Sequence, residues 1–146
     1  MEASNTVSWV GQSDEWSCWA AAAAMMLGWR DSVCYANDAE IRAKYSDMGG
    51  DGTDPEEDLR LALGQGMAVE ATACRTPEAW EQLLQHGPVM TTIPGHYLVI
   101  SAISGDGTPD GTHVYVLDPA ASESWWSFTQ LEELYEADPA SIMTQY

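Results

Sequence analysis

Positive charge is scarce in this chain. Only 5 of its 146 residues are Lys or Arg, against 23 Asp or Glu, and the net charge is −18 at pH 7. Such a surface repels phosphate backbones and anionic bilayers, so neither nucleic acid nor membrane is an expected partner. A basic protein segment is the partner that this charge would attract. Long apolar runs are missing too, since no stretch approaches the roughly 20 residues of a membrane span. The Met1 end is acidic and lacks the basic-then-apolar pattern of a secretory signal. The expected location is therefore a cytosol, either that of the producing cell or that of a cell into which a secretion system delivers the chain. Cysteine is sparse: Cys18, Cys34 and Cys74, with no Cys-x-x-Cys. That argues against structural zinc, leaves at least one thiol free in a monomer, and gives no reason to expect a metal or cofactor.

The apolar fraction is 45%, enough for one compact core in a chain too short for two ordinary domains. Residues 1–146 are read as a single domain, either whole or as the catalytic module of a longer polypeptide. The first half has helical signals. "CWAAAAAMMLGWR" is apolar nearly all round, the mark of a buried helix. Asn37 or Asp38 can cap a short helix reaching Tyr45, and Asp54 with Pro55 opens another. Thr76 with Pro77 starts a helix that stops at Gly87. The second half changes period. "PVMTTI", "GHYLVISAI", "HVYVLDP" and "SWWSF" read as strands, with "SGDGTPDGT" as turn chemistry between the second and third. Thr129 and Glu132 form a capping box for a last helix, and "SIMTQY" can close the sheet. The expected class is α+β, with a helical lobe packed on a twisted antiparallel sheet.

One cysteine stands apart. Cys18 opens the buried helix, and a thiol reacts as thiolate, a form that a helix N-terminus and a neighbouring imidazolium favour. Three histidines could supply that imidazolium. Residues facing each other in a hairpin are equidistant from its turn. His96 and Asp118 are equidistant from Gly107, so they are expected roughly opposite on one face unless a bulge shifts them. His113 would pair near Ser101, about 16 Å back along the strand. His86 sits at a helix end, where an imidazole ordinarily serves as a C-terminal cap. His96 is thus the histidine with a carboxylate placed to orient it, as nucleophile–base–orienter chemistry needs. Gln12 supplies a side-chain amide that, with the Cys18 N–H, could face a developing oxyanion.

The pattern Gln-x5-Cys-Trp-Ala-Ala, then "LLQHGPVMTTIPGHYLVISAI", then "HVYVLDP" resembles the papain-like cysteine peptidases. Within them it is most similar to the compact bacterial branch of AvrRpt2-like effector proteases and C39-like peptidases. The resemblance runs from Gln12 to Pro119. It implies a papain-like fold with Cys18 as nucleophile, His96 as general base and acid, Asp118 as the orienting third member and Gln12 in the oxyanion hole. It further implies a protein substrate, a secreted effector or interbacterial toxin role and, for a toxin, a cognate immunity protein. Papain itself has Asn where this chain has Asp118. C39 enzymes usually carry Asp-Cys-Gly where this chain has Ser17-Cys18-Trp19.

Plainer roles compete for several residues. Cys34 and Cys74 have no such partners and read as structural. Trp16 and Trp19 flank Cys18 and are candidate walls of a substrate cleft, with helix packing the competing role for Trp19. Of the adjacent Trp125 and Trp126, a strand turns one inward and one outward. Asp47, Asp51 and Asp58, with Gly52, imitate a calcium loop, but Gly49 at the third position and Asp at the last favour a capped acidic turn. Two rival functions use the same features. One is other thiol acyl chemistry, such as deamidation, isopeptide cleavage or transfer. The other is an inactive binding module that holds a basic partner in an acidic cleft.

Overall fold

A run of five alanines favours helix strongly and needs almost no lateral room. In the computed structural model, which describes residues 1–15, 17–44, 68–71, 76–93, 96–137 and 141–144, that run forms the middle of helix α1 (Cys18–Asp31). Cys18 through Leu27 are all buried. The helix ends on Ser32 in the left-handed conformation, and Gly28 is required just before that turn: a Cβ there would stand 2.6 Å from the Val33 carbonyl oxygen. Helix α2 (Ala39–Lys44) follows, its first N–H groups capped by Asn37, whose Oδ1 accepts from Ala39 N–H at 2.9 Å. Helix α3 (Pro77–Leu84) starts as its sequence predicts, with Thr76 accepting from Ala79 N–H and Pro77 in the first turn. The expected helix at Asp54 and Pro55, the acidic loop of Asp47, Gly49, Asp51, Gly52 and Asp58, the helix end at Tyr45, Cys74 and Trp16 lie outside the described residues.

The strands are β1 (Glu2–Ser4), β2 (Ala68–Ala71), β3 (Val89–Ile93), β4 (His96–Gly105), β5 (Thr112–Leu117), β6 (Glu123–Ser127) and β7 (Ser141–Thr144). Among the described residues they form one sheet in the order β2-β7-β3-β4-β5-β6, every pairing antiparallel, with β1 alongside β4. Two expectations need adjusting. The segment read as closing the sheet, β7, lies inside it, between β2 and β3. The helical and sheet halves also interleave, because β1 and β2 come from the half read as helical.

Helices cover both faces of the sheet. On one, α1 packs against Met90, Tyr97, Val99 and Leu117. On the other, Trp80 and Leu84 of α3 and Phe128 and Leu131 of helix α4 (Phe128–Ala137) meet Leu98, Ile100, Ile103, Val114 and Val116. Along β4 the period of two should place Ile103 with Tyr97 and Val99. It lies on the opposite face because the ladder slips between Ile100 and Ala102: Ile100 faces Val116, but Ala102 faces Tyr115. The extra residue, Ser101, is a β-bulge, and it returns Ile103 to the face of Leu98 and Ile100.

The capping box of α4 lies two residues before the expected Thr129–Glu132 pair. Ser127 N–H donates to Gln130 Oε1 at 3.0 Å, and Gln130 N–H donates to Ser127 Oγ at 3.2 Å. Thr129 instead bonds Asp110. Both S-x-x-Q and T-x-x-E fit the motif, and the end of β6 selects the earlier one. Ser127→Ala is therefore expected to lower the unfolding free energy by about 1 kcal/mol. Thr129→Ala should cost less, and urea denaturation of both variants, at unchanged slope, compares them.

Candidate active site

Cys18 occupies the first position of α1, where helix geometry leaves an N–H without an intrahelical acceptor. Ser17 precedes it but does not cap the helix. Its hydroxyl turns back instead, accepting from Ser13 N–H at 3.0 Å and Asp14 N–H at 3.1 Å and donating to the Asp14 carbonyl at 3.2 Å. Asp38, 1% exposed and immediately before α2, braces the same loop: its Oδ2 accepts from the N–H and hydroxyl of Ser13 at 2.9 and 3.1 Å. Arg42 adds bonds to Ser13 Oγ and Asp14 Oδ2 at 2.7 and 3.2 Å. The loop carrying Gln12 into Cys18 is thus fixed by a polar network. Sequence reading missed it, because nothing in the spacing of Ser13, Ser17 and Asp38 announces it.

His96 begins β4, opposite Ile93 of β3. Its Nε2 lies 2.6 Å from Asp118 Oδ1, and its ring also stands within hydrogen-bonding influence of the Cys18 thiol. Since Nε2 is engaged by the carboxylate, Nδ1 is the nitrogen left for sulfur. The pairing predicted from the hairpin is present, but its register is not. Continuing the ladder from Val99 and Leu117 would set Ala120, not Asp118, opposite His96. Asp118 lies beyond the end of β5 and reaches the imidazole from a turn, with Ala120 N–H donating to its Oδ1 at 2.9 Å. A turn centred beyond Gly107, between Thr108 and Pro109, accounts for the difference, and the bulge recovers one residue of it. The same turn sets His113 opposite Ser104 rather than near Ser101. His113 and His86 are both exposed and belong to other parts of the fold.

Burial is the largest influence on His96 and works against its proton, but it is outweighed by the hydrogen bonds to Asp118 and Cys18 and by their charges. The imidazole is held protonated up to about 9, above its ordinary 6.5. For Asp118, burial pushes the carboxyl upward, yet the bonds from His96 and Ala120 N–H hold it below its usual range.

Gln12 joins the site through its backbone, its N–H donating to the Pro119 carbonyl at 2.9 Å beside Asp118. Its Nε2 donates to the Asp14 carbonyl at 2.8 Å, while its Oε1 is buried without a partner. One amide hydrogen is thereby engaged and the second remains. Trp19 does not line a cleft. It is 5% exposed, packed within the α1 core, because its place on an all-round buried helix turns it inward. Trp126 packs on the opposite core and Trp125 is 51% exposed, the alternation their adjacency predicts. Two concavities, of about 330 and 410 Å³, are lined by other residues than Cys18, His96 and Asp118. Among the described residues no group of three or more His, Cys, Asp or Glu is placed to hold a metal.

Solved structures share the fold. A double glycine motif protease from an AMS/PCAT transporter, in complex with the leader peptide, aligns at a TM-score of 0.63 and 17% identity, over 99% of this chain and 95% of that one. The peptidase domain of Streptococcus ComA, a bi-functional ABC transporter involved in quorum sensing, aligns at 0.66 and 18%, over 94% and 98%. UfSP from C. elegans aligns at 0.69 and 12%, over 99% of this chain but 34% of that one. No curated protein matches the chain in sequence. The family model described as papain-like cysteine protease AvrRpt2 matches residues 2–136. With a cysteine and a carboxylate-paired histidine brought together on this fold, the chain belongs to the AvrRpt2 family of papain-like cysteine proteases and is a cysteine-type peptidase.

Proposed function

We propose that the chain cleaves peptide bonds in a protein substrate with Cys18 as nucleophile, His96 as general base and acid, and Asp118 as the group that orients His96. The observation that carries this reading is the 2.6 Å contact of His96 Nε2 with Asp118, and the interaction with Cys18 that helps hold the imidazole protonated supports it. The thiolate attacks the carbonyl carbon, and the Cys18 N–H and the second amide hydrogen of Gln12 receive the oxyanion. As the intermediate collapses, the imidazolium gives its proton to the leaving amine. Water, deprotonated by His96, then attacks the thioester and releases the acid and the thiol.

The biological role we propose is a catalytic module of one domain, delivered into the cytosol of a host or competitor cell as an effector or toxin. The family resemblance supports the role, and the net charge of −18 favours substrates with basic segments. A producer of such a toxin would need an immunity protein that blocks the site. Trp16, beside Cys18 in the chain, is the remaining candidate for a cleft wall.

Mass spectrometry of the new N-termini formed in a denatured bacterial lysate tests the chemistry. Wild type should generate termini that Cys18→Ala does not. His96→Ala should lower the rate about 10³-fold, and Asp118→Ala about 10²-fold or more. A mass gain of one hydrolysed amide without chain scission would identify a deamidase instead.

The pH dependence follows from His96. Its proton is needed in the imidazolium that protonates the leaving amine, so cleavage should decline as pH rises through about 9. Stability has the same sign: a raised folded-state pKa stabilises fully below 6.5 and loses that contribution as pH rises through about 9. Asp118 works in the opposite direction, its contribution vanishing as pH falls below 3.8. The stability advantage of wild type over His96→Ala, from urea unfolding, should therefore shrink between about pH 6 and about pH 9.5.

A further inference from the structure

Asp118 has no ladder to hold it, because β5 ends at Leu117. Its turn closes on itself: Asp118 N–H donates to the Ser122 carbonyl at 3.1 Å and Ala121 N–H to the Asp118 carbonyl at 3.2 Å. Such a turn could still rock as a unit and carry the carboxylate off His96. Two bonds from far away in sequence oppose that motion. Trp9 Nε1–H donates to the Asp118 carbonyl at 2.8 Å, and Gln12 N–H donates to the Pro119 carbonyl at 2.9 Å. Consecutive carbonyls of the acid-bearing turn are thus pinned by one short segment, 9–12, which also carries the oxyanion candidate.

The seat of the indole is specific. A Cβ on Gly11 would lie 2.8 Å from Trp9 Cη2, so the ring rests on a glycine that no larger residue can replace without moving it. Core packing does not explain this tryptophan. It is 40% exposed and belongs to neither core cluster, although a tryptophan is the costliest side chain to leave wet. What it contributes there is a directed N–H.

We propose that Trp9 is a positioning residue for the peptidase reaction, its indole N–H, seated on Gly11, holding the Asp118 backbone so that the carboxylate stays on His96 Nε2. This rests on the reading of Asp118 as the group that orients His96. Trp9 acts through Asp118, whose carbonyl its indole N–H meets at 2.8 Å. Trp9→Phe removes the donor and keeps an aromatic ring at an exposed position. Gly11→Ala keeps the donor and displaces it. Both should have the same effect.

The test is an NMR titration of the His96 imidazole, its resonance assigned by its loss in His96→Ala, together with the rate of Cys18 alkylation by iodoacetamide at neutral pH. In Trp9→Phe and Gly11→Ala the His96 titration should move down from about 9 toward 6.5. Alkylation should slow about three- to tenfold, the range one net hydrogen bond supports. Asp118→Asn in parallel separates the two readings. If Asp118→Asn lowers the His96 titration and Trp9→Phe leaves both readouts at wild-type values, the indole only packs, and the proposal falls while the role of Asp118 stands. If Asp118→Asn itself leaves the titration at wild type, that role fails and the proposal with it. Should Gly11→Ala not fold, Trp9→Phe decides alone.

Discussion

A helix buried on every side has to fit its slot, and the position of Cys18 depends on that fit. Ala20 through Ala24 are at most 1% exposed, so no side chain beyond a methyl separates that stretch of α1 from its neighbours. Alanine contributes helix propensity and little apolar area. Trp19, Met25, Met26 and Leu27, also buried, supply most of the area that holds the helix in place. The arrangement is stiff because interiors are close-packed and a larger residue must displace something. Since α1 crosses β3 and β4, its depth in the sheet sets the distance from its first residue to the imidazole at the start of β4.

The remaining members of the site are placed by different means. His96 is positioned by strand pairing, through its partner Ile93. Asp118 is positioned by a turn and by the segment from Trp9 to Gln12, and Gln12 by the loop that Ser17 and Asp38 brace. The bulge at Ser101 connects these systems. It lets one long strand contribute Tyr97 and Val99 to the α1 face and Ile103 to the α3–α4 face, and it moves the β5 end relative to His96. A bulge-free hairpin would require the turn to sit elsewhere for the same carboxylate to reach the same nitrogen.

Those differences explain what could be read from sequence. Period and composition were sufficient for α1, α3, α4 and for β3 through β7, where each segment is long or strongly patterned. They were sufficient also to choose His96 and Asp118 as partners, since a tolerance of one or two residues does not change which histidine has a carboxylate nearby. They did not reveal β1, three residues paired with β4 at Ser104, Ile103 and Ala102, because so short a strand has no period. Register failed because the turn is centred beyond Gly107 and nothing in "SGDGTPDGT" singles out its centre. The bulge, which partly offsets this, leaves no signature in a run such as "YLVISAI" that is apolar on both faces. Trp9 was invisible because its bond to Asp118 spans 109 residues and follows from tertiary placement alone.

The scarcity of positive charge gives His96 a further meaning. Among the described residues, Arg42 is engaged with Ser13 and Asp14, and the imidazole itself supplies the cation beside Asp118. Burial opposes charge on both His96 and Asp118 and is the largest influence on each, yet both remain ionised. They do so because each lowers the cost of the other's charge at 2.6 Å, a mutual dependence in which removing one partner strands the other. A chain at −18 reinforces this, because the surrounding negative field favours the protonated ring. Geometry and charge state at this site are therefore one property: whatever shifts the Asp118 turn away from His96 also removes the proton on which attack and amine departure depend.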